Sequence, residues 1–75
     1  MYTVKNFGGV CKAVKIENGS ETVVCTEGQR VTAGLDTYTV GKQNNKCCIF
    51  LVKKEVIGGN VVETLVKKCE EGQFL

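Results

Sequence analysis

One ordered set of residues occurs twice in this chain, and it limits the possible folds more than any other feature. Tyr-Thr-Val opens each copy, at Tyr2 to Val4 and again at Tyr38 to Val40. A cysteine follows nine positions after each tyrosine, Cys11 in one copy and Cys47 in the other. Next come an apolar stretch with lysines, a Gly/Asn turn and a Glu-Thr pair, Glu21-Thr22 or Glu63-Thr64. Both copies close on Cys-x-Glu-Gly-Gln, at Cys25 to Gln29 and at Cys69 to Gln73. The offset grows from 36 positions at the tyrosines to 44 at the closing cysteines, so the second copy is longer around its turn. Self-similarity in a fixed order predicts a repeated supersecondary unit. We place the two units at about residues 1–33 and 37–75 of one 1–75 domain.

The first unit reads as a hairpin. In "VCKAVKIENGSETVVCTE" (Val10 to Glu27), β-branched and apolar residues flank Asn18-Gly19. Asn-Gly between such runs is a strong hairpin signal, because both residues accept positive φ. A tight turn pairs Glu17 with Ser20 and sets Val14 opposite Val23. A turn closed by Gly19 as a bulge pairs Ile16 with Ser20, Lys15 with Glu21 and Cys11 with Cys25. The facing charges favour the second register, because opposite charges across a ladder stabilise it.

The second unit, "CCIFLVKKEVI" followed by Gly58-Gly59 and "NVVETLVKKCEEGQ", admits two readings. As a hairpin it pairs Val56 with Val61, Lys54 with Glu63, Val52 with Leu65 and Cys48 with Cys69. As a helix at about 60–71 it has Asn60 as N-cap and Glu63 completing a capping box. Val61, Val62, Leu65, Val66 and Cys69 then share one face. Three valines and a threonine are weak helix formers, and the similarity to "SETVVC" favours the strand. The expected fold is therefore all-β: a small pseudo-two-fold barrel or sandwich of two similar hairpin units, with six or seven short strands. The alternative is a β-rich fold with one C-terminal helix.

"EGQRVTAG" and the closing "GGNVVETLVKKCEEGQFL" resemble the glycine-turn segments of biotinyl/lipoyl carrier domains. Those domains are built from two quasi-symmetric β units, and the resemblance implies that architecture here. It does not carry the modified lysine across. Lys46, in "QNNKCC", occupies a similar turn, but its neighbours differ from the Met-Lys-Met or Asp-Lys-Ala pattern of the family.

Composition excludes several chemistries. With no histidine there is no imidazole base and no Ser-His or Cys-His nucleophile pair. The five cysteines lack the closely spaced ligand pairs of a zinc site, and adjacent Cys47 and Cys48 point to opposite faces of a strand. We expect Cys11, Cys25, Cys69 and one of Cys47 and Cys48 to be small buried hydrophobes, with cross-strand disulfides and a metal as the competing readings. The glycines match neither a P-loop nor a dinucleotide fingerprint. We expect no catalytic residues, no cofactor, no metal and no enzymatic activity. A net charge of +2 and no run approaching a membrane span point away from nucleic acid as the default and from membranes. No basic, apolar leader opens the chain, so we expect a cytoplasmic protein with reduced thiols.

What remains is surface. Lys12, Lys15, Lys53, Lys54, Lys67 and Lys68, with Tyr2 and Tyr38, are the candidate interaction residues. The expected function is a non-enzymatic β interaction module whose partner is protein, foremost a second copy of itself. A small accessory protein of a bacterium or bacteriophage fits that profile. The alternative is a small-barrel nucleic-acid-binding protein using the lysine-rich strand faces.

Overall fold

A computed structural model describes all 75 residues, and every regular element in it is a strand. The strands are β1 (Tyr2–Phe7), β2 (Val10–Glu17), β3 (Ser20–Thr26), β4 (Arg30–Ala33), β5 (Asp36–Gln43), β6 (Lys46–Ile57) and β7 (Asn60–Glu70). They form two antiparallel sheets, ordered β1-β2-β3 and β4-β5-β6-β7. Both sheets are open, so the architecture is a small β sandwich and not the closed barrel. With no helix at all, none is long and apolar enough to cross a membrane.

The segment expected as either strand or helix is β7, a strand from Asn60. Gly58 and Gly59 both take positive φ, 58° and 83°, and turn the chain straight back along β6. That turn type matches the right-handed twist of the flanking strands. Val56 then meets Val61, Lys54 meets Glu63 and Val52 meets Leu65, as the hairpin register predicts.

Two register expectations fail, for related reasons. At Asn18-Gly19 both φ values are positive, 51° and 78°, which is the tight two-residue turn. Glu17 therefore pairs with Ser20 and Val14 with Val23, and the bulge-closed register with Lys15 opposite Glu21 does not form. Glu21 instead reaches Lys5 on β1, and Lys15 reaches Glu17 at 3.0 Å. The bulge lies further along. Cys25 pairs with Ala13 and Val23 with Val14, leaving Val24 as the extra residue. In the second hairpin Cys69 pairs with Ile49 and Lys67 with Phe50, leaving Lys68 extra. Each bulge shifts its cysteine by one position. The tight turn and the bulge together move Cys11 two positions from Cys25, and in the second hairpin the bulge alone sets Cys48 opposite Glu70 instead of Cys69.

The two halves share more than their strands. Glu27 accepts from the Cys11 N–H at 3.1 Å, and Glu71 accepts from the Cys47 N–H at 2.7 Å. The Gln29 side chain accepts from Thr26 N–H and that of Gln73 from Glu70 N–H, both at 3.0 Å. Each Cys-x-Glu-Gly-Gln segment is thus a hydrogen-bonded clasp at the end of its hairpin. Thr39 and Thr3 donate to the carbonyls of Gln29 and Gln73, tying each clasp to the strand beside it.

Between the sheets sit Val4, Cys11, Ala13, Cys25, Val40, Cys47, Ile49 and Cys69. All five cysteines are buried, one more than expected, and they are not all reduced. Cys11 of β2 and Cys47 of β6 form a disulfide, with Cα atoms 5.4 Å apart. The bond joins one sheet to the other, not neighbouring strands of one hairpin. Cys25, Cys48 and Cys69 are free thiols.

Candidate interaction surface

The first half of β6, from Cys47 to Val52, is largely buried on both faces, more than the opposing sheet alone would give it. Cys47 and Ile49 point into the core, while Cys48, Phe50 and Val52 occupy the opposite face and are also buried. Phe50 lies against the backbone of Gly41, where an added Cβ would come within 3.5 Å of its ring. Beyond Val52 the burial stops. From Lys53 to Ile57 on β6, and from Asn60 to Leu65 on β7, every residue is exposed. The hairpin leaves the body of the protein as an arm, in a molecule whose extents are 46 × 27 × 18 Å.

The arm is not polar, as a solvated arm would be. Val56 is 73% exposed, Ile57 58%, Val61 67% and Leu65 52%. Apolar side chains gathered at one protruding element mark a contact surface more often than scattered single ones do. The outer strand of this arm, β7, is also an edge of its sheet. No backbone hydrogen bond from Val61 to Lys67 goes to anything other than β6. Unpaired N–H and C=O groups in a row are a template for another strand.

One ion pair braces the base of the arm. Arg30 of β4 donates through both terminal nitrogens to the two carboxylate oxygens of Glu63 on β7, each at 2.8 Å. These strands are the opposite edges of one four-stranded sheet, roughly 14 Å apart if it were flat. The contact therefore requires the sheet to curl, drawing two corners together over the Phe50 and Val52 face. The shared hydrogen bonds hold the Glu63 carboxyl below the usual glutamate range and push the Arg30 guanidinium further up. Lys54 lies 4.0 Å from the same carboxylate.

The sequence-predicted residues do not gather on one face. Lys12 and Lys15 lie on β2, with ammonium groups 5.5 Å from the Phe7 ring centre and 5.9 Å from that of Tyr2. Lys15 also pairs with Glu17, whose hydrogen bond raises the lysine's pKa. Lys53 and Lys54 are neighbours on β6 and so project to opposite faces. Lys67 pairs with Glu70 at 3.2 Å, and Lys68 is the bulged residue. Only Lys53, Lys54, Lys67 and Lys68 belong to the arm hairpin. Tyr2 and Tyr38 line an apolar cleft of about 80 Å³ between the sheets, with Ala13, Val31, Ile49 and Leu75.

Three residues that matter here, Arg30, Glu63 and Leu65, are not among the sequence-predicted interaction residues. Leu65 enters the sequence reading as the partner of Val52 in a hairpin or as part of a helix face, and Arg30 carries no pairing signal of its own. The Lys54–Glu63 pairing was the available signal for Glu63, but nothing local tied Arg30 to it. No group of three or more cysteine or acidic side chains is arranged to hold a metal ion. The free thiols of Cys25 and Cys69 are pushed up in pKa by burial, which keeps them protonated and poorly nucleophilic.

No protein family, no curated protein and no solved structure matches the chain. The likeness to carrier domains thus stays at the level of the glycine turns.

Proposed function

We propose that this protein is a non-enzymatic interaction module that self-associates through the β6–β7 arm. The observation that carries the reading is the arm itself, exposed on all sides and yet bearing Val56, Ile57, Val61 and Leu65. Only 13 of 75 residues are buried, so a second copy would also enlarge a small core. A two-fold dimer is the commonest way for one patch to cover itself. Light scattering across a concentration series tests this. The expected result is a mass rising toward twice the 8.1 kDa of one chain. A strictly monomeric mass at high concentration overturns it.

We place the module in the cytoplasm, where thiols are usually kept reduced. Cys11 and Cys47 have no solvent-exposed surface, so soluble thiols reach their bridge only after the sandwich opens. The nucleic-acid reading stands second, because its lysines are divided between faces and sheets. No binding to DNA or RNA at low salt would dismiss it.

A further inference from the structure

We propose that two copies join edge to edge along β7, antiparallel, with Leu65 on the two-fold axis and Glu63 of each copy facing Lys67 of the other. The proposal rests on the self-association reading and names the surface and register that carry it.

Hydrogen-bond phase comes first. In a hairpin with a two-residue turn, the pair flanking the turn exchanges both backbone bonds, and the pairs alternate from there. Ile57 and Asn60 are that flanking pair. Asn60, Val62, Thr64 and Val66 therefore spend their N–H and C=O groups on β6. Val61, Glu63, Leu65 and Lys67 direct theirs outward, to the open edge. A partner strand must pair through these four residues.

Charge then selects among the registers that keep this phase. Placing Glu63 on Glu63 of the partner, or Lys67 on Lys67 of the partner, sets like charges face to face. Like charges directly opposite in a ladder destabilise it. The register centred between those two puts Glu63 opposite Lys67 twice and Leu65 opposite its own copy. The registers one step to either side give each charge an apolar neighbour instead. Only the central one forms two opposite-charge pairs and covers the half-exposed Leu65 with another leucine. The ladder then runs from Glu63 to Lys67 and ends at the Lys68 bulge, which breaks the edge. The existing ion pairs, including the 4.0 Å contact of Lys54 with Glu63, do not stand in the way. Arg30–Glu63 and Lys67–Glu70 are exposed, and a carboxylate can accept from more than one cation.

Cysteine substitution on the axis tests the register directly. Across a hydrogen-bonded antiparallel pair the Cα atoms are about 5.5 Å apart, within disulfide reach. L65C, mildly oxidised with the other cysteines left in place, should convert nearly completely to a covalent dimer. V61C should not, since its two copies lie eight residues apart along the joined strands. The unsubstituted protein sets the background from its buried thiols. K67E leaves the Arg30–Glu63 contact intact and should weaken dimerisation about tenfold. Circular dichroism verifies that each variant stays folded. A dimer that does not cross-link through L65C, or that ignores K67E, overturns the edge register while self-association stands. A chain that is monomeric throughout overturns both.

Discussion

Two glutamates show how much one acceptor can contribute in a protein this small. Glu71 accepts from the Cys47 N–H at 2.7 Å in a partly buried site, beside the disulfide. Truncating it strands that donor, and an unsatisfied buried donor costs about 1–3 kcal/mol. E71A should therefore lower stability by roughly that amount in urea unfolding, while E71Q keeps an acceptor and should lose less than half as much. Glu63 gives a different kind of prediction, one in pH. Its carboxyl titrates lower in the folded protein than in the unfolded chain, because Arg30 hydrogen-bonds the ionised form. The contribution is therefore complete above the unfolded value of about 4.3 and is lost as pH falls through the lower folded one. A carbon-detected NMR titration should find Glu63 below the usual glutamate range, and R30Q should raise it. A Glu63 midpoint unmoved by R30Q would show that the curled sheet does not depend on this ion pair.

At the scale of elements, the turns were the most legible part of the chain and the bulges the least. Asn18-Gly19 and Gly58-Gly59 mark where the chain reverses because few other residues accept positive φ at both positions, although at Asn18-Gly19 the charge argument selects the wrong register. Once those turns are placed, alternation along β6 and β7 follows. Nothing in the residue types marks Val24 or Lys68 as the extra one. A bulge is decided by which side chains the sandwich can bury, and that depends on the opposing sheet. The cysteine pairing was hidden for the same reason: spacing shows which residues are equivalent, not which meet. The candidate surface follows this pattern too. The lysines stood out by number, whereas the value of β7 lies in its being an edge, and sheet order is a long-range property. The two-residue turn between β5 and β6 offers a test of turn chemistry on its own. Asn44 and Asn45 both take positive φ, 53° and 63°, with asparagine at the second position where glycine suits this turn better. N45G should stabilise the fold by about 0.5 kcal/mol, or roughly 2–4 °C in Tm, read by thermal unfolding. A loss of stability would mean that the Asn45 side chain makes a contact that offsets its backbone strain.

The whole molecule is a three-stranded and a four-stranded sheet held by a modest core and one covalent bond. The Cys11–Cys47 bridge closes a loop across 36 positions and links strands of different sheets. A loop of that length restricts the unfolded chain by about 4 kcal/mol in the chain-entropy treatment. For a domain this size that is a large share of the total, since net stabilities run to only about 5–15 kcal/mol. C11A/C47A should therefore fall steeply in Tm as a dilute monomer. The same variant reports on the arm. If β7 pairing couples folding to association, its Tm should climb with protein concentration, because the folded dimer is favoured by mass action and the unfolded chain is not. The bridged protein, stable without its partner, should show a weaker dependence. Adding K67E to C11A/C47A should flatten the climb without lowering the dilute Tm much, because Lys67 contributes only an exposed ion pair to the monomer. A C11A/C47A protein whose Tm ignores concentration would mean that the sandwich stands on its own core, and that the exposed arm serves some contact other than its own copy.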